Sequence, residues 1–483
     1  MNYKMMGRFF SQTLFVEMVF MLPALVISLI KAEYMSVNGF ALTMLLMAAA
    51  AGLLWLLCRT APNAFNAKEG LVCVGLSWAV LGLFGALPFY ISGQIPKYID
   101  AFFEIVSGFT TTGASILTEV ESLGKGMLYW RSFSHWLGGM GVLVFLLAIN
   151  PASNGSGFTM HLLRAESPGP EVGKLVPKMR KTASILYCIY IGLTLLNFIF
   201  LLVGKMPAFD AICTAFGTAG TGGFGVKNDS LASYSPYIQN VTTVFMFIFG
   251  VNFSCYYLLL LGQLKSVFKD EELRVYLGVI AAAILMIVLN IRDLYSSWSE
   301  TVRHAAFQVG SIMSTSGFAT TDFDQWPSFS KAILVVLMFM GACAGSTCGG
   351  MKMARVILVF KSLRRSIRQV MRPNTVQVVR SNGRVVDEKV LATTNGYLAA
   401  YVIILVTSFL LISIDGFSFT TNMTAVITCF NNIGPGLEMV GPTGNFSQFS
   451  AFSKMILIID MLAGRLEIFP ILALLSRNTW RRR

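Results

Sequence analysis

Charge is scarce in this chain. Of its 483 residues only 13% are Asp, Glu, Lys or Arg, against 55% hydrophobic ones, and the mean hydropathy is +0.66. Ordinary soluble domains carry about 25% charged residues, so a water-facing globule is excluded and the solvent this composition requires is lipid. Histidine is scarcer still: His135, His161 and His304 are the three present, far apart in sequence. No clustered carboxylates or activated nucleophile accompany them, which argues against an enzyme. The cysteines (58, 73, 188, 213, 255, 343, 348 and 429) lack the spacing of a zinc site or a disulfide framework and fall mostly in apolar stretches. They are expected to be buried, reduced and structural, and no bound cofactor is expected.

What is abundant is apolar sequence in runs long enough to cross a hydrocarbon core of about 30 Å. Such runs recur at 9–30, 38–58, 70–93, 127–149, 183–204, 234–264, 275–292, 329–361, 392–414 and 447–475, rather than once at the start as in a signal peptide. The net charge of +13 resides mainly in alternate connections: Arg59 and Lys68, Arg164 to Lys181, Lys265 to Arg274, Lys361 to Arg384, and the tail of Arg481, Arg482 and Arg483. By the positive-inside rule these face the cytoplasm, as do both termini, so the basic balance reports topology and not nucleic-acid binding. The opposite connections hold Asp100, Glu104, Glu119, Glu121, Asp210, Asp229, Glu300, Asp322, Asp324 and Glu438. Their summed field is suited to concentrating cations at an outer mouth.

Four of those outer connections contain a stretch too short to cross the membrane, followed by small residues. They run from Phe102 to Gly113, Phe209 to Gly223, Phe307 to Gly317 and Ala425 to Gly434, about a hundred residues apart, each with one span before and one after. Irregular backbone at membrane depth is tolerated only where protein buries it or it lines a watery cavity, so the four loops belong around one axis. Short helices beginning near Phe102, Phe209, Glu300 and Thr420 would aim their negative C-terminal ends at that axis. Carbonyls beyond them can then replace the water shell of a cation. The candidate filter is Thr111, Thr112 and Gly113; Thr221, Gly222 and Gly223; Thr315, Ser316 and Gly317; and Asn432, Ile433 and Gly434. In the second loop either Gly222 or Gly223 could hold the filter position, with Gly223 favoured because Gly-Phe also ends the third loop. The fold class is all-α and membrane-embedded: four span, pore-loop, span repeats in pseudo-fourfold arrangement (66–155, 180–268, 270–365, 390–483), preceded by two extra N-terminal transmembrane helices (1–65).

These loops resemble those of the Trk/Ktr/HKT superfamily of potassium transporters, and within it the TrkH type. The resemblance covers almost the whole chain and includes Lys68-Glu-Gly, Trp130-Arg-Ser-Phe-Ser-His-Trp-Leu-Gly-Gly-Met-Gly141, Arg164-Ala-Glu-Ser-Pro-Gly-Pro170 and Gly341-Ala-Cys-Ala-Gly-Ser-Thr-Cys-Gly-Gly-Met-Lys352. The two extra N-terminal spans favour the TrkH type over the shorter Ktr form. The resemblance implies potassium as the transported ion, a bacterial inner-membrane location, a homodimer with one pore per subunit, and a cytoplasmic nucleotide-binding regulatory ring of the TrkA type. Arg364, Arg365, Arg368 and Arg372 form a dense basic surface for that regulator. The fourth loop departs from the pattern with Asn432-Ile-Gly-Pro-Gly436, which is immaterial if main-chain oxygens coordinate the ion. An alternative reading is a cation-coupled carrier with alternating access, but the repeats share one orientation, which fits a pore better.

An ungated filter would collapse the ion gradient. The glycines of 341–350 should interrupt their helix, each costing about 1 kcal/mol relative to alanine, and the resemblance makes this segment an intramembrane gate, with Gly345, Ser346, Thr347, Gly349 and Gly350 at its centre. Arg465 is a charge within an apolar span, expensive unless it faces water or a partner. It is expected to face the ion path, held by Glu467 or by loop carbonyls. Lys352 either adds to that barrier or marks the cytoplasmic end of its helix, the second being favoured. Glu17 and Asp460 are the other carboxylates within spans, each expected to pair with a base or lie near a span end.

Overall fold

The computed structural model describes residues 2–60, 67–141 and 179–480. The motif at 164–170, His161, the tail at 481–483 and the second half of the expected span 127–149 lie outside those residues. Two long apolar helices, α1 (Tyr3–Ile30) and α2 (Tyr34–Cys58), form an antiparallel pair at the N-terminus. Pro23 sits inside α1, as transmembrane helices allow. The outward positions of the pair are leucine-rich and bare, with Leu45, Leu53 and Leu57 each more than half exposed. Exposed apolar surface of this extent is a lipid-facing belt.

Four helix, short helix, helix units follow. The first comprises α3 (Ala67–Gly85), α4 (Leu87–Ile91), α5 (Tyr98–Phe109) and α6 (Lys125–Gly139); the second α7 (Met179–Val203), α8 (Ala208–Gly220), α9 (Pro236–Phe249), α10 (Phe253–Leu260) and α11 (Leu264–Lys269). The third has α12 (Glu271–Ile291), α13 (Trp298–Met313), α14 (Ser328–Met340) and α15 (Met353–Met371). The fourth has α16 (Glu388–Ile412), α17 (Phe419–Phe430), α18 (Ala451–Arg465), α19 (Phe469–Leu475) and α20 (Arg477–Trp480). Serines set several starts: Ser235, Ser297, Ser418 and Ser450 each accept a first-turn backbone N–H at α9, α13, α17 and α18.

The short helices α5, α8, α13 and α17 make the centre. Each packs on the second long helix of the preceding unit: α8 on α6, α13 on α9, α17 on α14, and α5 on α18, which closes the circle. That cyclic packing is the pseudo-fourfold arrangement, and α1 is fastened to its outside against α3 and α6.

Six described helical segments are long and apolar enough to cross a membrane unbroken. The expected continuous span 234–264 is instead bent by 90° between α9 and α10, and the span 447–475 is interrupted between α18 and α19. Together with the expected break between α14 and α15, the second long helix is therefore broken in three units. At these breaks Gly250 and residues 466–468 leave the helical path, with Glu467 and Ile468 at φ 60° and 65°.

Between units three and four a two-residue hairpin (Arg380–Ser381 with Arg384–Val385) turns at Asn382 and Gly383, both at positive φ as a type I′ turn demands. Asn382 accepts the Glu271 N–H (2.8 Å) and donates to Asp270 (3.1 Å), docking the hairpin on the start of α12. All eight cysteines are free and seven are buried; Cys188 is exposed on α7, contrary to the expectation of burial. Neither Glu17 nor Asp460 pairs with a base among the described residues. Asp460 accepts a hydrogen bond from Ser408 (2.7 Å), while both oxygens of Glu17 are buried without a partner.

Candidate functional site

The four short helices end identically. The N–H groups of Thr112, Gly222, Ser316 and Ile433 donate to the carbonyl five residues back, on Ser107, Gly217, Ser311 and Thr428, at 2.8, 2.9, 2.8 and 2.9 Å. The residues before them, Thr111, Thr221, Thr315 and Asn432, are left-handed at φ 56°, 57°, 55° and 54°, and their N–H groups donate three residues back. This pair of bonds is the Schellman closure of a helix. A left-handed β-branched residue costs about 1–3 kcal/mol and persists only where its surroundings enforce it; here three threonines carry that strain at one level, and the fourth position is an asparagine, which adopts the conformation more readily.

The next residue in every loop is a glycine at positive φ: Gly113, Gly223, Gly317 and Gly434. The shared backbone therefore aligns Gly223, not Gly222, with the other three. A Cβ on Gly113 would fall on the carbonyl oxygen of Gly222, one on Gly223 on that of Ser316, one on Gly317 on that of Ile433, and one on Gly434 on that of Thr112, every one closer than 3.0 Å. The relation closes on itself, so the four loops encircle a common axis. Just outside them is a cavity of about 170 Å³ bordered by all four glycines, Ser115, Arg131 and Asn445.

The wall behind this ring is tightly bonded. Thr110 and Thr112 share a hydroxyl contact of 2.8 Å, Ser314 and Ser316 one of 2.7 Å. Asn432 Nδ2 donates to Thr112 Oγ1 (3.0 Å) and to the Met461 carbonyl (2.9 Å), tying loop four to loop one. With the Thr112 and Ser316 hydroxyls engaged in the wall, backbone carbonyls are the oxygens left for the axis. Glu104, placed in the outer acidic set by its sequence position, is instead fully buried and paired with Arg131 at 2.6 Å. Arg131 also donates to the Gly225 carbonyl (2.9 Å) and lies over the Phe224 ring, while Glu104 accepts the Ile116 N–H (2.9 Å). Both chain segments leaving the first two glycines are thereby fixed by one ion pair. His135 is buried and stacked on Phe224 with 4.1 Å between centroids, and its ring fills the place a Cβ on Gly222 would take.

Beneath the ring, 341–352 forms an irregular segment between α14 and α15, with Gly341, Gly345, Gly350 and Lys352 at positive φ. The Gly349 N–H donates to Thr315 Oγ1 (2.8 Å), and the Thr347 carbonyl accepts from Arg465 Nη1 (2.8 Å). Nη1 also lies 3.3 Å from Thr111 Oγ1, and Nη2 donates to the carbonyls of Gly138 and Gly139. Arg465 is thus directly below the ring and held by one loop carbonyl, that of Thr347, and by two at the end of α6. Glu467, the other expected holder, pairs with Arg355. Ser346 bonds within the loop to the Cys343 carbonyl (2.6 Å). Lys352 stands at the start of α15, the helix end expected of it, and is buried there, its ammonium donating to the Cys348 carbonyl where the loop folds back over it.

Arg131 and His135 stood out in the sequence only within the motif from Trp130 to Gly141, and Glu272 only within the connection from Lys265 to Arg274. Arg131, a charge inside the otherwise apolar α6, carried the signal of an intramembrane ion pair.

The chain was compared with known proteins. The family described as TrkH, cation transport protein, matches residues 36–481. Proteins named Trk system potassium uptake protein TrkH from Salmonella typhimurium and Escherichia coli K12 are each 37% identical over 450 residues, 92% of this chain and 92% of theirs. The protein of that name from Halomonas elongata is 33% identical over the full length of both chains. The crystal structure of the potassium transporter TrkH from Vibrio parahaemolyticus superposes with a TM-score of 0.89 at 31% identity, covering 100% of each chain. With the cyclic packing of four helix-loop-helix units and a match across nearly its whole length, this chain belongs to the TrkH family of cation transport proteins.

Proposed function

We propose that the protein takes up potassium through a pore on the pseudo-fourfold axis, with main-chain oxygens of Thr111 to Gly113, Thr221 to Gly223, Thr315 to Gly317 and Asn432 to Gly434 replacing the ion's water. The observation that carries this reading is the closed cycle in which each glycine meets the carbonyl oxygen preceding the next. Four short helices direct their negative ends at the same place, which favours a cation and disfavours an anion. The potassium-uptake names of full-length relatives support the choice of ion.

The segment from Gly345 to Gly350 and the Arg465 guanidinium form the gate. Their contacts with Thr315 and Thr111 support this role, since an ion leaving the ring would meet them, and a fixed positive charge there repels it. Lys352 holds the loop's fold through Cys348. The four units correspond to repeats at 66–155, 180–268, 270–365 and 390–483, after two added helices within 1–65. The protein resides in the bacterial inner membrane with both termini cytoplasmic, as a homodimer, and a cytoplasmic nucleotide-binding regulator of the TrkA type acts on the gate. Arg364, Arg368 and Arg372 are the regulator's basic contact, with Arg365 already bonded to Glu388.

Flux into liposomes of the purified protein, measured with potassium, rubidium, sodium and lithium, tests the reading. Potassium and rubidium should pass fastest, with unitary current steps. Transport too slow for such steps, or faster lithium than potassium flux, contradicts it.

A further inference from the structure

The start of α12 carries three consecutive acids, and two do ordinary work there. Asp270 caps the helix by accepting the Leu273 N–H (2.9 Å), and Glu271 pairs with Lys361. Glu272 instead reaches the irregular segment below the ring: one carboxylate oxygen accepts the N–H of Ala344 at 2.6 Å and that of Ala354 at 2.9 Å. Ala344 lies in the glycine-rich loop and Ala354 in the first turn of α15, so a single carboxyl oxygen ties the two ends of the loop together. The Met353 N–H to Ala342 carbonyl bond (2.9 Å) closes the same neck.

The loop is also anchored to the second unit at the break between α9 and α10, by the Cys343 N–H to the Gly250 carbonyl (3.0 Å), the Phe253 N–H to the Gly345 carbonyl (3.1 Å), and the Thr347 hydroxyl to the Phe249 carbonyl (3.4 Å). Bonds from N–H groups to a carboxylate are stronger than such neutral ones, roughly twofold. Without Glu272 the neck, flanked by Gly341, Gly345 and Gly350 at positive φ, is held by the Met353 to Ala342 backbone bond.

We propose that Glu272 is the latch of the gate: a positioning residue that pins the neck of the 341–352 loop to α12 and so keeps the loop under the ring. This inference rests on the loop being the gate. Movement of α12 relative to α15 would break the latch without touching the ion path, and that is the displacement a cytoplasmic partner could impose.

The test is rubidium flux into liposomes of the full-length protein without any regulator, comparing Glu272→Ala, Glu272→Gln, Ala354→Pro and Arg465→Ala. Glu272→Ala should raise flux about fivefold to tenfold at unchanged rubidium-over-sodium preference, and a thiol reagent should now label Cys348, which is buried in the parent protein. Glu272→Gln keeps an acceptor oxygen and should stay within about twofold of the parent. Ala354→Pro removes one donor in the first turn of α15, where no intrahelical bond is lost, and should raise flux about twofold to threefold, which keeps the test alive if Glu272→Ala does not fold. A merely structural role would lower flux and lose selectivity in these variants. If Arg465→Ala raises flux while Glu272→Ala and Ala354→Pro leave both flux and Cys348 labelling at parental levels, the latch is wrong and the gate stands. If none of the variants raises flux, the gate reading fails and the latch with it.

Discussion

The carbonyl oxygen of Ser316 occupies the place a Cβ on Gly223 would take, so the second and third loops meet with no room for a side chain between them. Gly222, one residue earlier, faces away from that contact and against the His135 ring. The two adjacent glycines are therefore required by different neighbours. Gly223→Ala should reduce rubidium flux at least tenfold and lower preference over sodium. Gly222→Ala should also be impaired, but His135→Ala should restore its flux to within about threefold of the parent while leaving Gly223→Ala unrescued. Equal rescue of both, by flux in liposomes, would contradict the assignment of Gly223 to the ring.

Arg465 touches both the ring, at Thr111, and the loop, at Thr347. Arg465→Ala removes the charge and the bond to the loop, and flux without regulator should rise by roughly tenfold, a barrier lowered by about 1.4 kcal/mol. Arg465→Lys keeps the charge but not the fork of donors, and should fall between. Unchanged flux at normal expression would remove Arg465 from the barrier.

Much of this arrangement was legible in the sequence. The ring glycines could be found because close approach of the loops allows no Cβ at that level, and the same demand recurs in four equivalent contexts. Gly223 could be favoured over Gly222 only through the Gly-Phe it shares with the third loop, since the demand on Gly222 comes from a histidine on a different helix. The breaks at Gly250 and at residues 466–468 were hidden because apolar sequence continues on both sides and nothing local announces a 90° turn. Lys352 was read as a helix end, where it stands, but its burial depends on a loop folding back, which only tertiary structure supplies. Glu272 lay concealed among acids whose local reading is helix capping.

The Glu104 and Arg131 pair is fully desolvated, and breaking one side of such a pair costs about 3–5 kcal/mol. Arg131→Met should therefore lower the unfolding temperature in detergent markedly and loosen ion selectivity, because Gly225 loses its anchor and the Glu104 carboxylate that holds Ile116 loses its partner. The double variant Arg131→Met with Glu104→Leu should recover most of the stability but not the selectivity. If the double variant is no more stable than the single one, as read by thermal unfolding followed by size exclusion, the pair is not the strut inferred here.

At the outer face Glu119, Asp229 and Glu438 are exposed. The Ser418 hydroxyl, with Thr421, donates to Glu438 and holds its carboxyl below the usual range, so it is ionised throughout neutral pH. Replacing all three by amides should raise the apparent KM for rubidium about threefold at low ionic strength, with the difference vanishing near 0.5 M salt, where screening acts within a few ångströms. An unchanged apparent KM at low salt would exclude steering by these groups.

The central claim is that four loops place main-chain oxygens around a desolvated cation. Anomalous diffraction from crystals grown in rubidium or thallium tests it most directly. The account predicts peaks on the pseudo-fourfold axis, within coordination distance of the carbonyls of Thr112, Gly222, Ser316 and Ile433. Peaks away from that axis, with none inside the ring of Gly113, Gly223, Gly317 and Gly434, would contradict it.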